Sequence, residues 1–433
     1  MKTNYHQPVS VNFVAISLDF IRDKIGGLRQ QCDENQIDND FSLAHFSSAF
    51  DVPTAHWNKL VQESSNYLLS APYLAALEQH PYKGMCFHYI VAYRQEEPVA
   101  ILYYQETDVH ISNVDKNVDT TKVGDANSFF SKAKGIINSS LESIKARLLI
   151  QGNLLQSGEH GAFFTKTLSL KNQAMIVDAA WRKIIDSNQS GKKIRCILIK
   201  DISLELDAEI KLIDADFASF GVQPNMISAI RPGWRVFDDA LNDFSSKYRV
   251  RAKAACKKAE HLELRELTAI DIQSLNDTIM QLFKNVEAGA DFNMVSIHPR
   301  YFVDLKAALE DRFVIKGYFD KDKLIGFYSY IKGIEHNYAS FVGLNYDYNK
   351  DCALYQNILY SLLGDSIADG AKSIDLARTA MEIKSTMGAE PQEYQLMVKH
   401  LNGITNAIVK RFIQNIRPKE WIQRRPFKDT PKG

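Results

Sequence analysis

The segment RFVIKGYFDKDKLIGFYSYIKGIEHNYASFVGL, residues 312–344, has the clearest secondary-structure pattern of the chain. Two runs of aromatic and β-branched residues flank the polar turn at 320–323, and this pattern predicts a β-hairpin. Residues 337–344 predict a third strand. Apolar residues then recur at helical spacing over 353–369, and Gly370 follows them, as is typical of a helix that ends at a glycine. The segment therefore predicts three strands followed by an amphipathic helix.

The carboxyl-terminal half closes with a smaller unit of helix and strand. Residues 372–377 (KSIDLA) predict a buried strand, Thr379 is placed to cap a short helix, and residues 394–398 predict a last strand. Upstream of the hairpin, the predicted elements are a strand and two helices, at 264–267, 270–286 and 299–309.

The amino-terminal half repeats this order of elements. The turns FGVQP at 220–224 and MGAEP at 387–391 take the same place in the two halves, and Gly191 follows the first-half helix as Gly370 follows its counterpart. Matching glycine and proline positions favour duplication of one α/β unit over chance likeness. The first-half elements are a hairpin, a strand, a helix and two further strands, at 87–93 with 99–105, 147–151, 174–187, 193–199 and 225–230.

A basic segment joins the two halves. Residues 237–262 contain neither proline nor glycine and predict one long helix. Lys247, Arg249 and Arg251 are among the cations in its middle. Because the whole chain has 52 basic and 52 acidic residues, this local concentration predicts a surface that faces an anion. An ordinary solvated helix face is the alternative.

Length and composition narrow the class of protein. A chain of 433 residues that is 45% hydrophobic predicts two domains. The balanced charge argues against a DNA-binding protein. The amino terminus lacks an export signal, and the chain contains no run of about 18 uncharged apolar residues, so a cytoplasmic protein without a transmembrane segment is expected. The five cysteines have no metal-binding or disulfide spacing, so no metal site is expected.

Three stretches resemble the GNAT acyltransferase superfamily, in particular its FemAB-like and CelD-like subgroup. They are KYRVRAKAACKKAE at 247–260, ASFVGLNYDYNKDCALY at 339–355 and IDLARTAMEIKSTMGAEP at 374–391. The resemblance implies an α/β (α+β) fold of two tandem GNAT-like domains, each a mixed central sheet flanked by helices. The implied segments are an amino-terminal extension packed on the first domain (1–60), a first, degenerate domain (61–236), the basic connecting helix (237–262), the acyltransferase domain (263–415) and a basic tail (416–433).

The resemblance implies an N-acyltransferase that moves an acyl group to an amine from a thioester donor, acyl-CoA or acyl carrier protein. No cofactor is expected to be bound permanently. The loop LNYDYNKDCALYQN at 344–357 lacks the glycines with which many GNAT enzymes grip the pyrophosphate of coenzyme A. Two alternatives therefore stay open: a Fem-like peptidoglycan transferase that uses aminoacyl-tRNA, and a non-catalytic binding protein with this fold.

The resemblance also suggests the acceptor and the location. Family members often serve the cell envelope, so a small-molecule or lipid amine is the expected acceptor, and a location peripheral to the inner membrane is expected. The basic tail, with Trp421 and Phe427, is the segment that would lie against anionic lipid headgroups. A frayed tail is the alternative.

In this fold two neighbouring strands splay apart, and the donor and acceptor are expected to meet in the gap between them. Main-chain N–H groups can supply much of the chemistry, so few side chains are expected to be indispensable. Each candidate also has a structural alternative, as a solvated strand end, half-buried packing or a surface ion pair. The candidates are Glu335, His336 and Tyr355 for catalysis; Arg378, Lys384, Asn345 and Tyr346 for the donor; and Lys247, Arg249, Arg251 and Tyr338 for the acceptor or an anion.

Overall fold

The structure, a computed structural model, describes residues 41–79, 81, 84–110, 145–187, 190–288, 297–413 and 420–428. Within the chain, Ser42–Gly433 form one compact unit. The predicted amino-terminal extension lies, up to residue 40, outside the described residues, as does part of the predicted basic tail.

The described part of the chain contains both strands and helices. The strands are β1 Phe41–Phe46, β2 Cys86–Arg94, β3 Glu97–His110, β4 Lys145–Gln151, β5 Ala162–Phe164, β6 Cys196–Ile202, β7 Ala218–Gly221, β8 Asn225–Ala229, β9 Glu263–Glu266, β10 Phe313–Asp320, β11 Lys323–Ile331, β12 His336–Leu344, β13 Ser373–Asp375, β14 Glu390–Gln392 and β15 Gln395–His400. The helices are α1 Thr54–Ser64, α2 Ala71–Gln79, α3 Leu170–Ser187, α4 Leu204–Ile213, α5 Phe237–Asp243, α6 Ser246–Lys258, α7 Ala269–Ser274, α8 Asn276–Ala288, α9 Tyr301–Leu309, α10 Tyr346–Cys352, α11 Leu354–Ala368, α12 Met381–Ser385 and α13 Gly403–Ile413.

The strands form two mixed sheets. The first has the order β1-β2-β3-β4-β6-β15-β7, with β5 paired to β3, and the second has the order β14-β8-β13-β12-β11-β10-β9. Each sheet contains a parallel pair, β4 with β6 in the first and β12 with β13 in the second. The prediction of an α/β fold with two similar halves, each a mixed sheet with helices, is confirmed.

The two halves exchange their last strands. β8 belongs to the first half in sequence but lies in the second sheet, between β13 and β14. β15 belongs to the second half but lies in the first sheet, between β6 and β7. The exchange is reciprocal, so a strand from the other half completes each sheet.

The largest hydrophobic core also belongs to both halves. Trp57 and Tyr103 of the first half lie in the same buried cluster as Phe302 and Phe327 of the second half. A second cluster surrounds α11 in the second half, where Ile358 is fully buried. Burial of apolar surface is the main favourable term in folding, so the shared cluster ties the halves together energetically.

The predicted helix over 237–262 is wrong, because the chain breaks into α5 and α6 at Phe244 and Ser245. Phe244 is extended (φ −66°, ψ 141°) and fully buried, and its ring centroid lies 5.4 Å from that of Phe427. The Ser245 N–H donates to the carbonyl oxygen of Pro426 over 2.7 Å. Burial of the aromatic ring against a distant segment interrupts the helix, and the local sequence gives no sign of it.

Two other predicted helix ends differ from the structure. The predicted helix over 270–286 is divided at Leu275 into α7 and α8, and a capping box between Thr268 and Asp271 starts α7 at Ala269. Thr379 does not cap α12; the N-cap is Ala380, and both residues have positive φ (67° and 47°). The chain turns sharply between β13 and α12 through these left-handed residues, which displaces Thr379 from the cap position.

Candidate functional site

β12 and β13 separate after a short parallel pairing. The pairing ends at Tyr338 and Asp375, where β13 itself ends, whereas β12 continues to Leu344. Beyond Tyr338, the main-chain groups of β12 therefore have no partner in β13. The strands that were expected to splay do separate at this point.

A β-bulge in β12 lies just beyond the last pair. Between Tyr328 and Tyr330, β11 advances by two residues while its partner β12 advances by three, so the pairing register shifts. The hydroxyl of the buried Ser329 donates to the carbonyl oxygen of Phe341 and accepts from the N–H of Phe341, both over 3.0 Å. Because bulges bend a strand and increase its twist, Ser329 helps to fix where β12 turns away from β13.

A left-handed residue lies two positions beyond the last parallel pair in each sheet. Asp201 (φ 59°) lies two residues beyond Ile199, the last residue of β6 paired with β4. Ala377 (φ 58°) lies two residues beyond Asp375, the last residue of β13 paired with β12. A residue held in a sparsely populated backbone region costs about 1–3 kcal/mol, and such residues cluster at functional sites. Each half thus has a left-handed residue at the same distance beyond its parallel pair, inside β6 in the first half and after β13 in the second.

Asp201 is the centre of a buried ion cluster that joins the halves. Its carboxylate is fully buried and accepts from the ammonium of Lys200 over 2.5 Å, from the N–H of Gly158 over 2.9 Å and from the guanidinium of Arg378. Arg378 also donates from Nε to the carbonyl oxygen of Gln223 over 2.9 Å. Burial by itself would raise the pKa of Asp201, but the charges of Lys200 and Arg378 hold it below its ordinary value.

A cavity of about 510 Å³ is lined by residues of both halves. The first half contributes the end of β6 and the loop over 158–164. The second half contributes His336 and Tyr338 from β12, Asp375 from β13, and Tyr394 from the segment ahead of β15. Cavities of this size are typical of small-molecule sites. The last residue pair of the splayed strands therefore faces a space that can hold a small ligand.

The carboxylate of Asp375 is the group in this cavity best placed to take a proton. It accepts from Asn225 Nδ2 over 2.7 Å and from the N–H of Ala377 over 2.6 Å. Burial raises the pKa of Asp375 to about 6, and the two hydrogen bonds limit the rise. A carboxyl group with this pKa is ionised at neutral pH and is a stronger base than an ordinary aspartate. Asp375 is therefore a candidate general base.

Three of the predicted site residues lie at the cavity or beside it. His336 and Tyr338 line the cavity. Tyr338 is buried, and its ring packs edge-to-face on His160 with centroids 5.5 Å apart. Glu335 is half-exposed, forms an ion pair with Lys372 at 2.6 Å and lies 3.9 Å from the imidazole of His336. Burial lowers the pKa of His336 and raises that of Tyr338.

Arg378 and Lys384 meet at the end of β13. Lys384 is buried, and its ammonium donates to the carbonyl oxygens of Arg378 over 2.6 Å and of Ala377 over 3.2 Å. Burial lowers the pKa of Lys384 to about 7, although the charge of Asp375 acts in the opposite direction. Both cations are thus engaged with groups of the protein itself, and their role in binding a donor stays a prediction.

Asn345, Tyr346 and Tyr355 lie at the other end of β12, around the start of α10 and α11. Asn345 is the N-cap of α10, and its side chain accepts from the N–H of Asp347 over 3.0 Å. Tyr346 is exposed, whereas burial raises the pKa of Tyr355 to about 12. These three residues are not part of the cavity wall described above.

Lys247, Arg249 and Arg251 lie on α6, which packs against α11 through its alanine side chains Ala252 and Ala255. Lys247 and Arg251 are exposed, and Arg249 donates to two carbonyl oxygens at the end of α5. The structure therefore does not bring these cations to the cavity wall.

Sequence reasoning missed three acidic residues of the site. Asp375 interrupts the apolar strand KSIDLA, and Asp201 lies near the end of the apolar strand CILIKDI. A carboxylate inside a buried strand needs compensating partners, so it is a usable signal of a polar site. Glu159 lies in an irregular loop and gives no such signal.

No protein-family model and no curated protein matches the sequence. Several solved structures are similar to the chain. FemX is 11% identical, with 79% of this chain and 94% of that chain covered at a TM-score of 0.47. A tandem GNAT protein from the clavulanic acid biosynthesis pathway is 9% identical, with 84% and 99% covered at a TM-score of 0.48. A GCN5-related N-acetyltransferase from Sphaerobacter thermophilus is 9% identical, with 84% and 97% covered at a TM-score of 0.42.

None of the helices that the structure describes combines the length and the apolarity needed to cross a membrane.

Proposed function

We propose that the protein is an N-acyltransferase that transfers an acyl group from a thioester donor, acyl-CoA or acyl carrier protein, to an amine. The observation that carries the proposal is the position of Asp375. This candidate base ends the pairing of the splayed strands and faces the cavity between the halves. The second half supplies this residue together with His336 and Tyr338, so we place the reaction there.

The chemistry requires a neutral nitrogen. Asp375 would take a proton from the bound ammonium, directly or through a water molecule, and the nitrogen would then attack the thioester carbonyl carbon. A C–N bond forms, the tetrahedral oxyanion collapses, the C–S bond breaks, and the departing thiolate takes up the second proton that the attacking nitrogen loses. Main-chain N–H groups of β12 beyond Tyr338, which have no partner in β13, are candidate donors to the oxyanion.

Thiol release tests the proposal. The protein is incubated with short-chain acyl-CoA, long-chain acyl-CoA or acyl carrier protein, together with a panel of amines, and free thiol is measured. We expect amine-dependent release of thiol, and we expect Asp375→Asn to lower kcat by about 100-fold, which is the typical contribution of a general base. Glu260→Gln, which changes an exposed carboxylate at the end of α6, is the matched control and should keep full activity.

Other outcomes separate the alternatives. Consumption of aminoacyl-tRNA, with no thiol release, would favour the Fem-like transferase. A ligand retained through purification, with no turnover of any donor, would favour a binding protein. Full activity of Asp375→Asn would remove Asp375 from the mechanism.

A further inference from the structure

Some charged side chains of the cavity wall have ion-pair partners and others do not. Lys200 lines the cavity, but its ammonium is already bound to Asp201 and to the carbonyl oxygen of Gln156, the latter at 2.8 Å. Glu159 and Asp375 also line the cavity, and neither carboxylate forms an ion pair with a described residue. The wall therefore offers a ligand two carboxylates whose charge the described part of the chain leaves without a contacting cation.

The loop that carries Glu159 is fixed by hydrogen bonds to several elements. The carbonyl oxygen of Glu159 accepts from Asn66 Nδ2 over 2.9 Å, and the preceding N–H, that of Gly158, donates to Asp201 over 2.9 Å. The carbonyl oxygen of Ser157 accepts from Asn225 Nδ2 over 3.0 Å. Within this bonded loop the carboxylate of Glu159 remains exposed in the cavity. The loop thus presents one side chain in a fixed place.

Gly158 is required for this arrangement. Its φ is +116°, a region that residues with a side chain rarely adopt. A Cβ atom at this position would lie 2.8 Å from His160 Nε2 and 3.2 Å from Asn225 Nδ2. Glycine therefore lets the chain pass close to His160 and to Asn225, which also donates to Asp375.

The two carboxylates face a common region. Both line the cavity that Tyr394 also lines, and burial, followed by the charges of Glu159, Asp375 and Asp201, raises the pKa of the Tyr394 phenol. Next to Asp375, the buried amide oxygen of Asn225 accepts no hydrogen bond from a described residue. Because Glu159 and Asp375 both line the cavity and neither carboxylate has a contacting cation among the described residues, the region suits a ligand that carries N–H groups.

On the basis of the proposed acyl transfer, we infer that the acceptor carries two amino groups, as in a diamine or a basic amino acid. One nitrogen is acylated beside Asp375, and the second, cationic nitrogen binds the carboxylate of Glu159. Glu159 selects the acceptor and takes no part in the bond changes. The thioester donor is the same whichever acceptor binds.

Binding of simple amines without a donor tests the inference. Dissociation constants of 1,5-diaminopentane and of pentylamine are measured by calorimetry for the wild-type protein, Glu159→Gln and Glu260→Gln. We expect the wild-type protein and Glu260→Gln to bind the diamine about tenfold more tightly than the monoamine, which corresponds to one ion pair in a partly enclosed site. Glu159→Gln should bind the two amines equally, and its thermal unfolding should match that of the wild-type protein.

The experiment separates the inference from the function on which it rests. Equal binding of the two amines by the wild-type protein, no measurable binding of the diamine, or a diamine preference that survives in Glu159→Gln would each overturn the inference, even if thiol release is observed. A diamine preference that depends on Glu159, with no thiol release from any donor, would leave Glu159 as the site of the second nitrogen and overturn the proposed acyl transfer from a thioester.

Discussion

At the scale of single residues, Asp375 makes the proposed reaction pH-dependent. The base works when it is ionised, and burial raises its pKa to about 6. We therefore expect kcat to rise as the pH increases through about 6 and to level off above it. In Asp375→Asn the residual activity should lack this step. A step of the same size and position in the variant would assign the titration to another group.

Lys384 makes a second residue-scale prediction, which concerns stability. Burial lowers its pKa from the ordinary value of 10.5, which the unfolded chain keeps, to about 7 in the folded protein. Between these values the unfolded chain binds the extra proton, so the free energy of unfolding should increase with pH over this window. The Lys384→Met variant lacks this contribution. Between about pH 8 and about pH 10, the free energy of unfolding should therefore increase more for the wild-type protein than for the variant. Urea unfolding at both pH values measures the difference, and parallel pH dependence would contradict the prediction.

At the scale of elements, Ser329 is expected to stabilise the bulge where β12 leaves β13. Ser329→Ala leaves the partly buried N–H and carbonyl oxygen of Phe341 without this partner, which should cost about 1 kcal/mol. Denaturant unfolding measures the loss. Ser274→Ala on α7, whose hydroxyl is exposed, is the control and should change stability by less than about 0.5 kcal/mol. Equal midpoints for both variants and the wild-type protein would show that the bulge does not depend on Ser329.

Sequence periodicity predicts the elements better than their ends. β10, β11 and α11 match their predictions to within about two residues, because strand alternation, a polar turn and a terminal glycine are local signals. The break at Phe244 could not be predicted, because its cause is a ring from the far end of the chain, Phe427. The bulge in β12 likewise depends on a side chain from β11.

At the scale of the whole molecule, the candidate site was predictable in part. His336 and Tyr338 were identified because they enter the strand that was expected to splay. Glu159 and Asp375 were not identified, because only the packing of the two halves brings them to the same cavity. Asp201 and Arg378 are 177 positions apart in the sequence, so their ion pair can be recognised only in the folded structure.

The exchange of β8 and β15 was not predictable either, because a strand has the same apolar pattern whichever sheet it joins. It does lead to a prediction. A fragment of residues 1–236 keeps β8 but lacks β15, so β6 and β7 lose the strand that lies between them. A fragment of residues 237–433 lacks β8, so β13 and β14 lose theirs. Each fragment would also expose its part of the shared core.

We expect neither fragment to show a cooperative thermal transition by itself, and we expect the two to purify as a one-to-one complex when they are co-expressed. Circular dichroism melting and size-exclusion chromatography measure these outcomes. Cooperative unfolding of either fragment alone would mean that its sheet can close without the strand from the other half. In that case the packing of the halves, and with it the cavity between them, would not be imposed by the exchange, and the site would depend on the shared core alone.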